Sequence, residues 1–324
     1  MKVCIYGAGA IGGWIGGTLA RAGCSVSVVA RGATLDALQL HGLRLRQGGH
    51  LASYGVASSA SPEEFGVQDL VVLAVKAPSL PEVVEHIAPL IGPQTLVLTA
   101  MNGVPWWFLQ GFGGALANRR LVSVDPDGAL AKAIPADRII GCVVHASCSV
   151  DEPGLVHHHF GNGLILGEPS GEKTARLQQL AAMLEKAGFD ITVSEQIQKD
   201  IWFKLWGNMT VNPISALTGA TTDLIMADEL VRGFISSVML EAREIGARIG
   251  IKIDQRPEDR HQITRQLGAF KTSMLQDVEA GKALELDALV AAVRELGQLT
   301  GVATPFTDAL LGLARLKAQV HGLY

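Results

Sequence analysis

The chain opens on a short apolar run, residues 2–6, followed by a glycine-rich turn and a second apolar stretch, 11–22, with helical spacing. A further run at 25–30 completes a strand–turn–helix–strand pattern. Residues 43–56 are mixed, with Gly48-Gly49 as a hairpin turn. Residues 69–75 form a continuous apolar run without alternation, the pattern of a strand buried on both faces. More strands are predicted at 95–99, 138–149, 163–167 and 190–193, with an amphipathic helix at 173–187. From about residue 195 the strand signals stop, and helical patterns cover 197–212, 223–249, 257–279, 285–300 and 305–320.

The turn after the first run reads Gly7-Ala8-Gly9-Ala10-Ile11-Gly12, a GxGxxG placed between a strand and a helix. In that context the first glycine permits the turn and the second lets backbone approach a pyrophosphate. The third lets helix and strand pack closely, while the helix N-terminus presents N–H groups to the anion. The chain is therefore expected to be α/β plus all-α. Residues 1–195 are a Rossmann-type dinucleotide-binding domain and 196–324 a helical substrate-binding and catalytic domain. Where an NAD-type fold places a carboxylate at the end of the second strand, this chain has Arg31. A guanidinium there suits a 2′-phosphate and favours NADP(H); the alternative is a surface arginine closing a strand. Lys76 sits at the carboxyl end of the 69–75 strand, where open α/β sheets bind ligands. Asn102-Gly103 follows the 95–99 strand and reads either as a cofactor-facing amide or as an ordinary turn.

In the helical half, Lys204, Asn208 and Asn212 are spaced i, i+4, i+8, one polar stripe on a segment otherwise apolar nearly all round. Lysine is seldom buried unless paired or functional. One reading makes the stripe a site; the other lets Lys204 snorkel to solvent with the asparagines as caps. Pro213 is expected to end or kink this helix. Ser273 begins Ser-Met-Leu-Gln-Asp, and Glu285 stands between Leu284 and Leu286. Glu285 is either a partner for Lys204 or a first-turn glutamate favoured by the helix dipole.

Composition narrows the classes. The 324 residues, 48% hydrophobic and 18% charged, suit a globular chain with a sizeable core. A net charge of −4 without a basic cluster excludes a nucleic-acid footprint. Residues 3–20 approach the length of a membrane span, but their glycine density fits a turn and a closely packed helix. A soluble, cytoplasmic protein is expected, with no membrane partner. The four cysteines show no metal-ligand spacing, and His157–His159 on a strand alternate faces, so no metal site is expected.

Taken together, GAGAIG at 7–12, Arg31, VKA at 75–77, NG at 102–103, KLWGNMTVNPIS at 204–215, SMLQD at 273–277 and LELD at 284–287 resemble the ketopantoate reductase (2-dehydropantoate 2-reductase) family, in its order and over essentially the whole chain. The resemblance implies a helical domain of the 6-phosphogluconate dehydrogenase C-terminal type, and NADPH-dependent reduction of 2-dehydropantoate to pantoate in pantothenate and coenzyme A synthesis. It further implies that Gly7, Ala8, Gly9, Ala10, Ile11, Gly12, Arg31, Lys76 and Asn102 contact NADP(H), and that Lys204 is the catalytic acid supported by Glu285. Asn102, Asn208, Asn212 and Ser273 would bind a small 2-oxo acid, in a monomer or homodimer. Two departures bear on the substrate. Thr222 stands where family members carry a substrate-binding asparagine, and 105–136, with Trp106 and Trp107, is long enough to reshape the site. They leave room for a reductase of another 2-oxo acid or ketone. A non-catalytic NADP-binding protein would need the glycines but not Lys204.

Overall fold

The computed structural model describes residues 1–324. It divides into two compact units, Met1–Met101 with Ala129–Ile197, and Asn102–Gly128 with Gln198–Tyr324. The division at Ile197/Gln198 falls beside the expected boundary at 195, but residues 102–128 group with the helices rather than with the sheet. The reason is visible in their contacts. Trp106, Trp107, Phe108 and Leu109 are buried, and Phe108 lies 5.8 Å from the Trp202 ring.

The first unit runs β1 (Lys2–Tyr6), α1 (Ala10–Arg21), β2 (Ser25–Val29), α2 (Gly32–His41), β3 (Leu43–Gln47), β4 (His50–Tyr54), β5 (Ala57–Ser59), β6 (Leu70–Leu73), α3 (Leu80–His86), β7 (Leu96–Thr99), α4 (Ala129–Ala133), β8 (Ile139–Glu152), β9 (Leu155–Gly167), α5 (Ala175–Ala187) and β10 (Asp190–Val193). All strands join one sheet, ordered β4-β3-β9-β8-β7-β6-β1-β2-β5, with β10 on β9. The stretch β5-β2-β1-β6-β7-β8 is parallel and has the doubly wound order of a dinucleotide-binding fold. The unbroken apolar runs become its central strands, and β6 is buried at every residue.

Helix α1 lies almost in backbone contact with this sheet. A Cβ added at Gly12 would stand 1.9 Å from the Gly7 carbonyl oxygen, so no side chain fits there. Trp14 of α1 is fully buried, stacked on His158 at 5.4 Å and edge-on to Phe189 at 5.1 Å. Strand β9 begins well before the expected 163, because the histidine run is itself strand. His158 faces Trp14, whereas the rings of His157 and His159 lie 4.2 Å apart.

The second unit holds α6 (Ile197–Thr218), α7 (Thr222–Ala227), α8 (Glu229–Arg248), α9 (Pro257–Arg265), α10 (Ser273–Glu279), α11 (Ala292–Thr300) and α12 (Pro305–Val320). Three sequence expectations change here. Helix α6 does not stop at Asn212 but continues through Pro213 to Thr218. An interior proline costs about 3 kcal/mol, and burial of Met209, Val211, Ile214 and Ala216 around it offsets that. The 223–249 pattern splits at Asp228, whose carboxylate accepts from the Leu230 and Val231 N–H groups at 2.9 Å and starts a new helix. The 257–279 pattern splits likewise, with Thr272 capping α10. A π-helical turn, Asp287–Ala291, precedes α11. No helix is long and apolar enough to cross a membrane.

Gly12→Ala tests the close approach of α1. The added carbon must push the helix off the Gly7 turn, and overpacking of this kind costs about 1–3 kcal/mol. We expect a lower thermal midpoint and lost dinucleotide binding by fluorescence titration. Unchanged melting and binding would show that the turn yields freely.

Candidate active site

The strand order reverses between β1 and β6, which places a ligand crevice at the carboxyl ends of these strands. The turn after β1 lies there. Gly7 has φ +99°, and Gly9 caps α1 with no side-chain cap bond. Nothing lies within 4 Å of a Cβ built on Gly9, so the space in front of the uncapped helix N-terminus is open. Ala8, Ala10 and Ile11 are half-buried around it, and the end of β6 walls its other side through Ala74 and Val75. Lys76 follows at the N-cap of the Ala77–Ser79 turn. Arg31 is the N-cap residue of α2, with its guanidinium exposed and paired with Glu82 of α3. Burial, then the Glu82 carboxylate, push the neighbouring Tyr6 phenol up to about 12. An open glycine turn, an uncapped helix start and an exposed guanidinium fit a dinucleotide carrying an extra phosphate.

In the helical unit, the Lys204 ammonium donates to Asn102 Oδ1 at 2.9 Å. Both partners are held from behind. Helix α6 is fixed by burial of Trp202 and Trp206, and Trp206 Nε1 donates to the Met239 carbonyl at 2.7 Å. Asn102 is fixed through its neighbours. The Val104 N–H donates to the Ala288 carbonyl at 2.8 Å, in the π turn. Gly103 has φ +84°, and a Cβ there would meet Ala288 backbone at 2.7 Å. Only glycine allows that approach. Farther along, the Glu295 carboxylate of α11 accepts from the Val122 and Ser123 N–H groups, each at 2.8 Å, and from Ser123 Oγ at 2.5 Å. The Asn-Gly motif was legible in the sequence; the π turn that receives it carries no sequence signal.

Asn208 is half-buried and Asn212 buried on α6, at the spacing that sets them on the Lys204 face. Ser273 is exposed at the first turn of α10. Glu285 is buried just before the π turn. Two expectations about the site's shape change. Trp106 and Trp107 are core residues of the helical unit rather than an apolar wall over a substrate. Thr222 is buried, donates from Oγ1 to the Gly268 carbonyl at 2.6 Å and accepts from the Phe270 N–H at 3.2 Å. Its hydroxyl ties the loop before α10.

If Thr222 marked only a missing substrate amide, Thr222→Asn would raise kcat/KM; its place in the fold points the other way. The larger amide must enter a filled site and break bonds to the loop, so we expect a stability loss of about 1–3 kcal/mol and no gain in kcat/KM. Chemical denaturation beside steady-state kinetics decides it. A stable, more active variant would restore the substrate-amide reading.

Family models describe the two halves of the chain as Ketopantoate reductase PanE/ApbA over residues 3–171 and its C-terminal domain over residues 196–318. A 2-dehydropantoate 2-reductase of Mesorhizobium japonicum is 48% identical over 325 residues, covering 100% of both chains. A crystal structure of a candidate ketopantoate reductase from Ralstonia solanacearum MolK2 superposes with a TM-score of 0.94 at 54% identity, covering 99% of each chain. The 2-dehydropantoate 2-reductase of Geobacter metallireducens GS-15 does so at 0.86 and 29% identity, covering 98% of this chain and 100% of that one. With both halves matched in order and the whole length shared with such relatives, the chain belongs to the ketopantoate reductase PanE/ApbA family.

Proposed function

We propose that this chain is an NADPH-dependent 2-dehydropantoate 2-reductase, converting ketopantoate to pantoate for pantothenate and coenzyme A synthesis in the cytoplasm. The observation that carries the reading is the Lys204–Asn102 hydrogen bond on the helical unit, 2.9 Å long, in a chain of this family. Gly7, Ala8, Gly9, Ala10, Ile11 and Gly12 cradle the pyrophosphate, Arg31 takes the 2′-phosphate, and Lys76 and Asn102 complete the cofactor contacts. Residues 1–195 then serve chiefly NADP(H) and 196–324 chiefly the substrate. Bound NADPH supplies the hydride for the carbonyl carbon.

The chain's own residues manage the charge that results. Negative charge develops on the carbonyl oxygen, and a protonated Lys204 within hydrogen-bond reach stabilises it and delivers the proton. Asn102 accepts from the ammonium and so aims it without neutralising it. Glu285, a buried carboxylate, favours the charged lysine electrostatically. Asn208, Asn212 and Ser273 orient the substrate's polar groups. No nucleic acid or membrane takes part, and the chain works as a monomer or homodimer. A related reductase of a different 2-oxo acid is the second reading. It is favoured by Thr222, whose hydroxyl is committed to the loop and leaves the family's amide contact unmade. A non-catalytic NADP-binding protein would have no use for the Lys204–Asn102 pair.

NADPH oxidation followed spectrophotometrically against a panel of 2-oxo acids tests the reading directly; ketopantoate should lead the panel, and no turnover of any member would sink it. Lys204→Ala should lower kcat by about 10²-fold or more while NADPH binding stays near normal, the scale of a removed general acid. Near-normal turnover would return Lys204 to a snorkelling side chain. Arg31 should give at least about a ten-fold preference for NADPH over NADH, narrowed in Arg31→Ala by weaker NADPH binding. Equal affinities in the unmutated protein would refute the phosphate assignment.

A further inference from the structure

Helix α9 lays Arg260 across α6. A Cβ built on Gly207 would stand 2.6 Å from its Nε and 2.9 Å from its Nη2, so the guanidinium fills the notch that the glycine leaves. Its central carbon lies 5.5 Å from the Phe203 ring centroid. Nε is buried with no hydrogen-bond partner. Burial alone pushes its pKa down, and no carboxylate offsets that burial. Arginine does not shed its proton in proteins, so the charge persists with donor capacity unused.

The position of this cation matters more than its burial. On α6, Phe203 and Gly207 are each followed by a residue of the polar stripe, Lys204 and Asn208, about 100° further round the helix. Asp200, Phe203, Lys204 and Asn208 are partly exposed, while Gly207 among them is buried beneath Arg260. The guanidinium therefore lies on the side of α6 next to Lys204, over a residue about 60° round the helix from it. Gly207 lies about 4.5 Å along the helix axis from Lys204, and in a 2-oxo acid the carboxylate is bonded directly to the carbonyl carbon.

We propose that Arg260 binds the carboxylate of the 2-oxo acid and thereby delivers the adjacent carbonyl oxygen to Lys204. The inference rests on the reductase reading above and adds a charged contact to the neutral amides and hydroxyl of Asn208, Asn212 and Ser273. A guanidinium can hold a carboxylate through two parallel hydrogen bonds, which fixes orientation as well as affinity. Packing on Phe203 keeps the planar group in place before the substrate arrives.

The test compares a 2-oxo acid with its uncharged amide at saturating NADPH, in the unmutated protein, Arg260→Met and Arg260→Lys. Arg260→Met should raise KM for the acid at least about ten-fold, with much smaller changes in kcat, KM for the amide and NADPH affinity. Arg260→Lys should fall between. Gly207→Ala, whose added carbon displaces the flexible end of Arg260, should shift the acid's KM in the same direction. If Arg260→Met does not fold by circular dichroism, the lysine and Gly207 variants carry the comparison. An unchanged KM for the acid, or equal increases for acid and amide, overturns the proposal in favour of a packing role. An unmutated protein that reduces no 2-oxo acid removes both readings, whereas an active one indifferent to Arg260 removes only this one.

Discussion

The hydrogen bond from Lys204 to Asn102 is the constraint on which the helical unit's organisation turns. A lysine side chain has several freely rotating bonds, and in the acid role proposed for Lys204 a donor that wanders would contribute little to a transition state. Asn102 removes that freedom without removing the charge. The asparagine in turn has no helix or strand to stand on, so the fold supplies a mount from three directions. Gly103 presses against the π turn, Ala288 receives the Val104 N–H, and Glu295 grips the chain at Val122 and Ser123. The departure from regular helix at Asp287–Ala291 thus lies where the loop docks and just after Glu285. Irregular turns of this type often mark functional positions.

The two cations proposed to meet ligands are held in two different states. Arg31 is exposed and already paired with Glu82. A surface pair of this kind is worth at most about 1 kcal/mol, so on the proposed NADP(H) reading a phosphate would displace the carboxylate at little cost. Arg260 is the opposite case, packed on Phe203 and over Gly207 with an unused donor. Its desolvation is met when the protein folds, so the proposed carboxylate would find the site already organised. In the proposed function the first arrangement serves a cofactor that must come and go, and the second the orientation of a small reactant.

Glycine serves both ends of this design by absence of a side chain rather than by flexibility. At Gly12 it lets α1 close on the Gly7 turn, and at Gly207 it gives a guanidinium room against the helix that carries Lys204. Thr222 and the Trp106-Trp107 pair, which the chain order suggested as substrate-facing, are instead spent on holding the helical unit together.

The sequence by itself determined the parts governed by local pattern. Continuous apolar runs became the central parallel strands, and GxGxxG at residue 7 became the turn before α1. The i, i+4, i+8 spacing fixed Lys204, Asn208 and Asn212 on one face of α6. These follow from side-chain periodicity and from what glycine permits, both readable within a few residues. Only the tertiary structure decided the rest. Helix α6 runs through Pro213 because buried neighbours outweigh a local penalty. Residues 102–128 join the helices because Glu295 and the aromatic core hold them there, and β9 starts as early as Leu155 because that stretch pairs with both β3 and β8. Arg260 drew no notice in the sequence, since its place over Gly207 joins two residues more than fifty positions apart. These outcomes rest on burial and on contacts set by the tertiary fold, which local pattern along the chain does not encode.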